Sequence, residues 1–341
     1  MRGTAGRPRP RRGSNRLRRA LPAVCSQPAD NRPVPRNAVL SALTDSRKSR
    51  LDGLAVSLIL VCCVIWGLNQ VIVKMTLPVV PPLMQGALRS AVAALLVGLW
   101  ARHRGIALLT ADGVNRAGVI AGALFALEFC CVYWGLQYTS ASRAIVFLYL
   151  APFIVALGMP FISRSERLRA TQIAGLCLAF GALAFAFRDG LSGPAAQPSR
   201  QWLGDCLSVI AAVFWGLTTL WIRATPLATA TPERTLFLQL AISAPIMALA
   251  SLAAGEPLPQ LGSGLAWGSL AYQSVVIAFA SYLTWFWLLR HYPATRVSAF
   301  TFLTPVLGLV AGVVLLNETI SAPMLIGLFG VALGLWLVNR R

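Results

Sequence analysis

Two ionisable side chains lie where the chain otherwise offers almost nothing but hydrocarbon. Glu128 sits inside the run Ala-Leu-Phe-Ala-Leu-Glu-Phe-Cys-Cys-Val-Tyr-Trp, and Arg89 inside the apolar stretch 82–100. A charge in such surroundings is costly and marks a place where something is bound or carried. Two chemistries are open: an Arg89–Glu128 ion pair that hides both charges, or a carboxylate that carries a proton or meets a substrate. They overlap, because a pair broken by a proton or a solute is a switch. Aromatic residues accompany them: Trp66, Tyr133, Trp134, Trp215, Tyr282 and Trp285. Asn69 and Thr218 lie one turn from the dipeptides Trp66-Gly67 and Trp215-Gly216. Ring faces with a few amides and hydroxyls suit an amphipathic or cationic small molecule. Trp100, Trp202, Trp267 and Trp336 read instead as interfacial anchors.

Other chemistries find no support. The seven cysteines lack Cys-x-x-Cys spacing and read as small packing residues. The two histidines, His103 and His291, stand alone in loops, and no phosphate-cradling glycine loop occurs. Neither metal nor cofactor is expected, and an enzyme, for instance one modifying lipids, is the weaker reading.

The elements that must position these residues follow from composition. The chain of 341 residues is 57% hydrophobic and 12% charged, about half the charge of a soluble domain. Residues 1–51 hold 13 of the 30 Lys and Arg. They form an Arg- and Pro-rich tail that cannot bury enough surface to order itself. Such a tail could hold to anionic lipid heads; the alternative is a translation start placed too far upstream. The net charge of +19 is thus a membrane pattern, and no nucleic-acid partner is expected. A membrane-spanning helix takes roughly 20 apolar residues. Ten such stretches run over 54–73, 82–100, 117–136, 144–161, 170–187, 205–222, 236–254, 267–289, 297–316 and 323–338. With the N-terminus inside, twelve Arg fall in the inner loops and C-terminus, against four basic residues outside (Lys74, Arg143, Arg188 and Arg200). Both termini are therefore expected in the cytoplasm, with the chain multi-pass in the plasma (inner) membrane.

The halves repeat. Trp66, Gly67 and Lys74 match Trp215, Gly216 and Arg223 at a shift of 149; Arg143, Phe147, Leu150 and Pro152 match Arg296, Phe300, Leu303 and Pro305 at 153; Glu166 and Gly175 match Glu318 and Gly327 at 152. Five spans per unit is an odd number, so the second unit must be inverted. The expected fold is an all-α integral membrane protein of ten transmembrane helices in two inverted five-helix repeats, 54–188 and 203–339. Inverted repeats place a substrate site between the halves near mid-membrane and supply two exchangeable states. A secondary transporter of small molecules fits this best, with a channel or facilitator as the alternative.

Five motifs carry a family resemblance: Trp-Gly-Leu-Asn-Gln-Val-Ile-Val-Lys from Trp66, Leu-Gln-Tyr-Thr-Ser-Ala-Ser-Arg-Ala from Leu136, Ala-Pro-Phe from Ala151, Ser-Glu-Arg-Leu from Ser165, and Leu-Thr-Pro with Asn-Glu-Thr-Ile in the second half. In order and duplication they resemble the EamA-like permeases of the drug/metabolite transporter superfamily, over 54–341. The resemblance implies ten helices, alternating access, and export or import of amino acids, metabolites or toxic compounds.

Local readings complete the set. Pro152 and Pro305 fall within spans four and nine and read as matched hinges or as static kinks. Glu166, Glu318 and Asp205 read as caps of the helices they precede. Gly327, Gly330 and Gly334, with Gly175, Ala179 and Ala182, give small faces that serve either a homodimer or packing within the monomer. At 1.5 Å per residue, Arg89 lies roughly 10 Å and Glu128 roughly 12 Å from the same membrane face.

Overall fold

The computed structural model describes residues 51–110, 112–162, 169–191, 200–292 and 303–339, with single residues 3, 297, 300 and 301. The tail up to residue 50, Glu166 with its neighbours Arg164 and Arg167, and Arg296 lie outside the described residues.

All regular structure among the described residues is helical: α1 (Gly53–Thr76), α2 (Pro82–His103), α3 (Val114–Gly135), α4 (Ala141–Leu148), α5 (Ala151–Ile162), α6 (Ala170–Leu191), α7 (Gln201–Ala224), α8 (Pro232–Ala253), α9 (Gly264–Ala271), a π-helix (Tyr272–Ser281), α10 (Tyr282–His291), α11 (Leu303–Leu316) and α12 (Ala322–Asn339). Among the described residues seven segments are long and apolar enough to cross a membrane: α1, α2, α3, Ala141–Ile162, α7, α8 and Gly264–Leu288. Three shorter apolar helices accompany them, Ala170–Ala182, Leu303–Leu316 and Ala322–Gly334.

The helices start where capping chemistry allows. Asp52 accepts from the Ala55 amide (2.9 Å), Ser140 from Arg143 (3.1 Å), and Thr231 stands before Pro232. The segment Ala141–Ile162 is discontinuous. It breaks at Tyr149–Leu150, beside Pro152, which has no N–H to return to the Leu148 carbonyl. The segment from Gly264 is wound in three pieces. Its central π-helix widens the turn so that Gln273, Ser274 and Ser281 are all buried.

Close contacts fix the helix pairs. A Cβ on Gly334 would stand 2.5 Å from the Gly175 carbonyl oxygen and 2.8 Å from Ala179 Cβ, and one on Gly330 would collide with Ala182. The small face of α12 is therefore occupied by α6 of the same chain. Gly67 on α1 meets the Gly308 amide on α11 at 2.9 Å in the same sense. The remaining large contacts join α2 to α8, α3 to both α7 and α8, α5 to α7, and α2 to the π-helix.

Candidate functional site

Arg89, eight residues into α2, is 1% exposed. Its guanidinium donates to the hydroxyls of Tyr133 on α3 (3.3 Å) and Tyr282 at the start of α10 (3.4 Å). Its carbon lies 4.0 Å from the centre of the Phe129 ring, within the range of cation–π attraction. From Tyr133 a polar chain runs through the apolar core. The Tyr133 hydroxyl donates to Gln273 Oε1 (2.5 Å), Gln273 Nε2 donates to Ser269 Oγ (2.7 Å) and Gln85 Oε1 (3.3 Å), and Thr76 Oγ1 donates to Ser269 Oγ (2.6 Å). Four helical segments thus meet at one network. Buried polar groups of this kind are costly unless satisfied, and this network is incomplete. Arg89 Nε, Gln85 Nε2 and Ser274 Oγ have no hydrogen-bond partner.

Glu128 on α3 is 5% exposed and within electrostatic reach of Arg89. Among the described residues it makes no direct ion pair with Arg89 and accepts no hydrogen bond. Tyr133, Tyr282 and Phe129 occupy the arginine instead. Trp66 joins the neighbourhood from α1: its indole donates to Ser281 Oγ (2.8 Å), next to Tyr282, and its ring packs edge-on against Trp285 at 5.4 Å. Asn69 is buried with its Oδ1 unpartnered.

Other expected site residues lie elsewhere. Trp134 is exposed and bonds Tyr138 on its own segment. Trp215 packs against Tyr149 in a separate cluster to which α4, α5, α6, α7, α11 and α12 contribute. Thr218 returns its hydroxyl to the Phe214 carbonyl on its own helix (2.8 Å). Pro152 stands at the second residue of α5 and Pro305 at the third of α11, both next to helix starts rather than mid-helix.

A second buried arginine escaped the sequence reading. Arg143 on α4 is forked onto Asp205 of α7 (Nη2–Oδ2 2.5 Å, Nε–Oδ2 3.1 Å, Nε–Oδ1 3.2 Å), with Thr139 Oγ1 donating to Oδ1 (2.6 Å). Asp205 is 0% exposed and is the fifth residue of α7, so it is an ion-pair partner and not the cap it was expected to be. Glu318 is also not a cap of the helix that follows it. It accepts from the Ala141 amide (2.7 Å), the Ser142 amide (3.0 Å) and the Ser142 hydroxyl (2.6 Å), sealing the first turn of α4. Glu256, after α8, does the same for α2, accepting from the Leu83 and Met84 amides at 3.0 Å each. Two acids from the second half therefore cap two first-half helices at one end of the bundle. At the opposite end Arg234 donates to Asp112 (2.6 and 2.7 Å), Asn115 (2.8 Å) and the Leu108 carbonyl (3.0 Å). That guanidinium holds the Asp112 carboxyl well below the usual carboxylate range. No spacing rule exposes contacts across such sequence distances; the neutral amides Gln85 and Gln273 in apolar runs were the one available signal.

Comparisons with known proteins bear on the fold and the family. A solved crystal structure superposes with a TM-score of 0.58 at 19% identity, covering 84% of this chain and 96% of that one, which bears on the fold alone. The chain is 28% identical over 296 residues to the "Probable amino-acid metabolite efflux pump" of Escherichia coli (strain K12), covering 85% of this chain and 95% of the relative. It is 29% identical over 308 residues to the protein of the same name in Salmonella typhimurium, with the same coverage. The model of the EamA-like transporter family matches twice, at residues 53–188 and 202–340, so the chain belongs to the EamA-like transporter family.

Proposed function

We propose that this chain is a secondary transporter that moves small metabolites, amino acids or drug-like compounds across the plasma (inner) membrane by alternating access, in the export direction, with proton coupling through Glu128. The observation that carries it is the pattern of helix pairing. Exchange the halves (spans one to five for six to ten) and most of the principal contacts return, α3–α7 only weakly, as the contacts of α1 with α9, the π-helix and α10. The pairs α2–α8 and α6–α12 map onto themselves, α1–α11 maps onto α5–α7, and α3–α8 maps onto the π-helix with α2. This recurrence supports two related halves, here taken as 54–188 and 203–339, and with five spans in each the second would be inverted and the two would rock about a central site. Membership of a transporter family supports moving a solute over modifying one, and the efflux named for the two relatives supports the direction.

In this reading the Asp112–Arg234 end faces the cytoplasm, as the positive charge of its loops favours. The Glu256 and Glu318 caps bridge the halves at the outer end and must release when that end opens. Pro152 and Pro305 mark where the fourth and ninth spans bend.

The test is flux in proteoliposomes under an imposed pH gradient. The wild-type chain should show saturable movement that follows the gradient. Glu128→Gln should lose the gradient dependence while keeping solute exchange at equal pH. Gradient-driven flux undiminished in Glu128→Gln rejects proton coupling by that residue; unsaturable conductance in a planar bilayer rejects alternating access.

A further inference from the structure

The surroundings of Arg89 are short of an anion. It is among the largest fully buried side chains of the described residues, and a guanidinium presents five N–H donors in a planar fork. Two of its nitrogens reach phenol oxygens at 3.3 and 3.4 Å, both long for hydrogen bonds, and Nε reaches nothing. Gln85 Nε2 and Ser274 Oγ, also buried in the polar core of α2 and the π-helix, are unpartnered as well. Arg143 shows how this chain neutralises an arginine it means to keep closed: a carboxylate forked onto it at 2.5 to 3.2 Å. Glu128 does not do this for Arg89. A buried cation without a touching counter-ion is strongly unfavourable, and a carboxylate is the partner that fits the fork with two parallel bonds.

We propose that Arg89 is the receptor for the carboxylate of the transported solute, which makes the substrate class carboxylate-bearing metabolites with an apolar body. This rests on the transporter reading above. The two tyrosines then have different roles. Tyr133 is fixed, because it also donates to Gln273 at 2.5 Å, and it positions the guanidinium. Tyr282 has Arg89 as its one hydroxyl partner among the described residues and is only partly buried. It follows the π-helix directly, and π-windings recur at functional sites where a helix shifts register. Rewinding that segment would turn Tyr282 away and hand its place on Arg89 to the solute. Phe129, Trp66 and Trp285 supply apolar walls for the rest of the molecule.

The experiment uses two matched sets on the full chain: L-phenylalanine, 3-phenylpropanoate and 2-phenylethylamine, and L-leucine, 4-methylpentanoate and 3-methylbutylamine. Flux is measured in proteoliposomes, and the thermal shift on the purified wild-type protein. Carboxylate-bearing members should move and raise the unfolding temperature, and the amines should fall behind by about 10-fold or more, the worth of a charge-assisted hydrogen bond. Amino acids moving without the deaminated acids identify amino acids as the source; both moving identifies organic acids generally. Arg89→Gln should cut carboxylate flux by a similar factor, and Arg89→Lys should restore part of it. The wild-type thermal shift needs no variant to fold. Amines that move or stabilise as well as the acids overturn the assignment and leave the transporter reading standing. If none of the six moves or binds, the assignment and metabolite transport of this class fall together.

Discussion

Arg89 and Arg143 are both buried, both on first-half helices, and differ in what they touch. Arg143 meets a carboxylate from the other half with two nitrogens, and Thr139 completes that carboxylate's bonding. Arg89 meets two phenols and a ring face, and the nearest acid acts on it only through space. One charge is closed into the scaffold; the other is left with unused donors. A buried, fully hydrogen-bonded pair holds a register, whereas an unneutralised cation is a place for a ligand.

The largest effect should come from opening the closed pair. Asp205→Ala takes the carboxylate from a buried guanidinium and should cost about 3–5 kcal/mol of stability. The double variant Asp205→Leu with Arg143→Leu should recover most of it, because two matched apolar residues carry no desolvation penalty. Arg89→Met should behave oppositely, leaving stability unchanged or raised while solute flux falls. Denaturant unfolding in mixed micelles reads all three. A loss at Arg89→Met as large as at Asp205→Ala would erase the distinction between the two arginines.

Parts of this were legible in the sequence. The apolar stretches coincide with helices, and Arg89 and Glu128, expected at one depth, stand within electrostatic reach of each other. Depth does not give azimuth, however, and the tyrosines that stand at Arg89 lie on α3 and α10, brought there by packing. Asp205 was misread because a cap and an ion-pair partner are the same residue type; only the start of α7 at Gln201, four residues earlier, separates them. Glu318 was read as a local cap, yet its partners Ala141 and Ser142 lie in the other half. The π-winding of Tyr272–Ser281 left no trace in composition, since the same side chains serve a helix of either pitch. Tyr133 and Tyr282 were singled out as rings, and the hydroxyls that hold Arg89 went unread.

Smaller changes sharpen the closed side of the comparison. A Cβ on Gly204 would stand 2.6 Å from the Gly135 carbonyl oxygen and 2.7 Å from the Thr139 amide. Gly204→Ala must therefore push α7 from α3 and disturb Thr139, which steadies Asp205. About 1–3 kcal/mol should be lost, as for overpacked cores. Glu318→Gln keeps the side chain's shape but removes the charge from its bonds to the first turn of α4, the turn that carries Arg143. A loss of about 1 kcal/mol is expected, of the size of a helix cap.

The smallest effect belongs to the third arginine, Arg234, whose carboxylate partner Asp112 is about half exposed (49%). Arg234 depresses the Asp112 carboxyl in the folded chain. A depressed folded value means that the group stabilises the fold above its unfolded value of about 3.9, and that this contribution drains away as pH falls through and below it. Melting temperature measured from pH 5 down to 3 should therefore fall less steeply in Asp112→Asn than in wild type. Because water and ions reach Asp112, that difference should shrink at about 1 M salt, where the screening length is near 3 Å. The Arg143–Asp205 pair, whose side chains are 6% and 0% exposed, should keep more of its contribution at the same salt. Equal salt sensitivity at the two sites would mean that burial does not separate them, and the contrast between a sealed arginine and an accessible one would fail where it is easiest to measure.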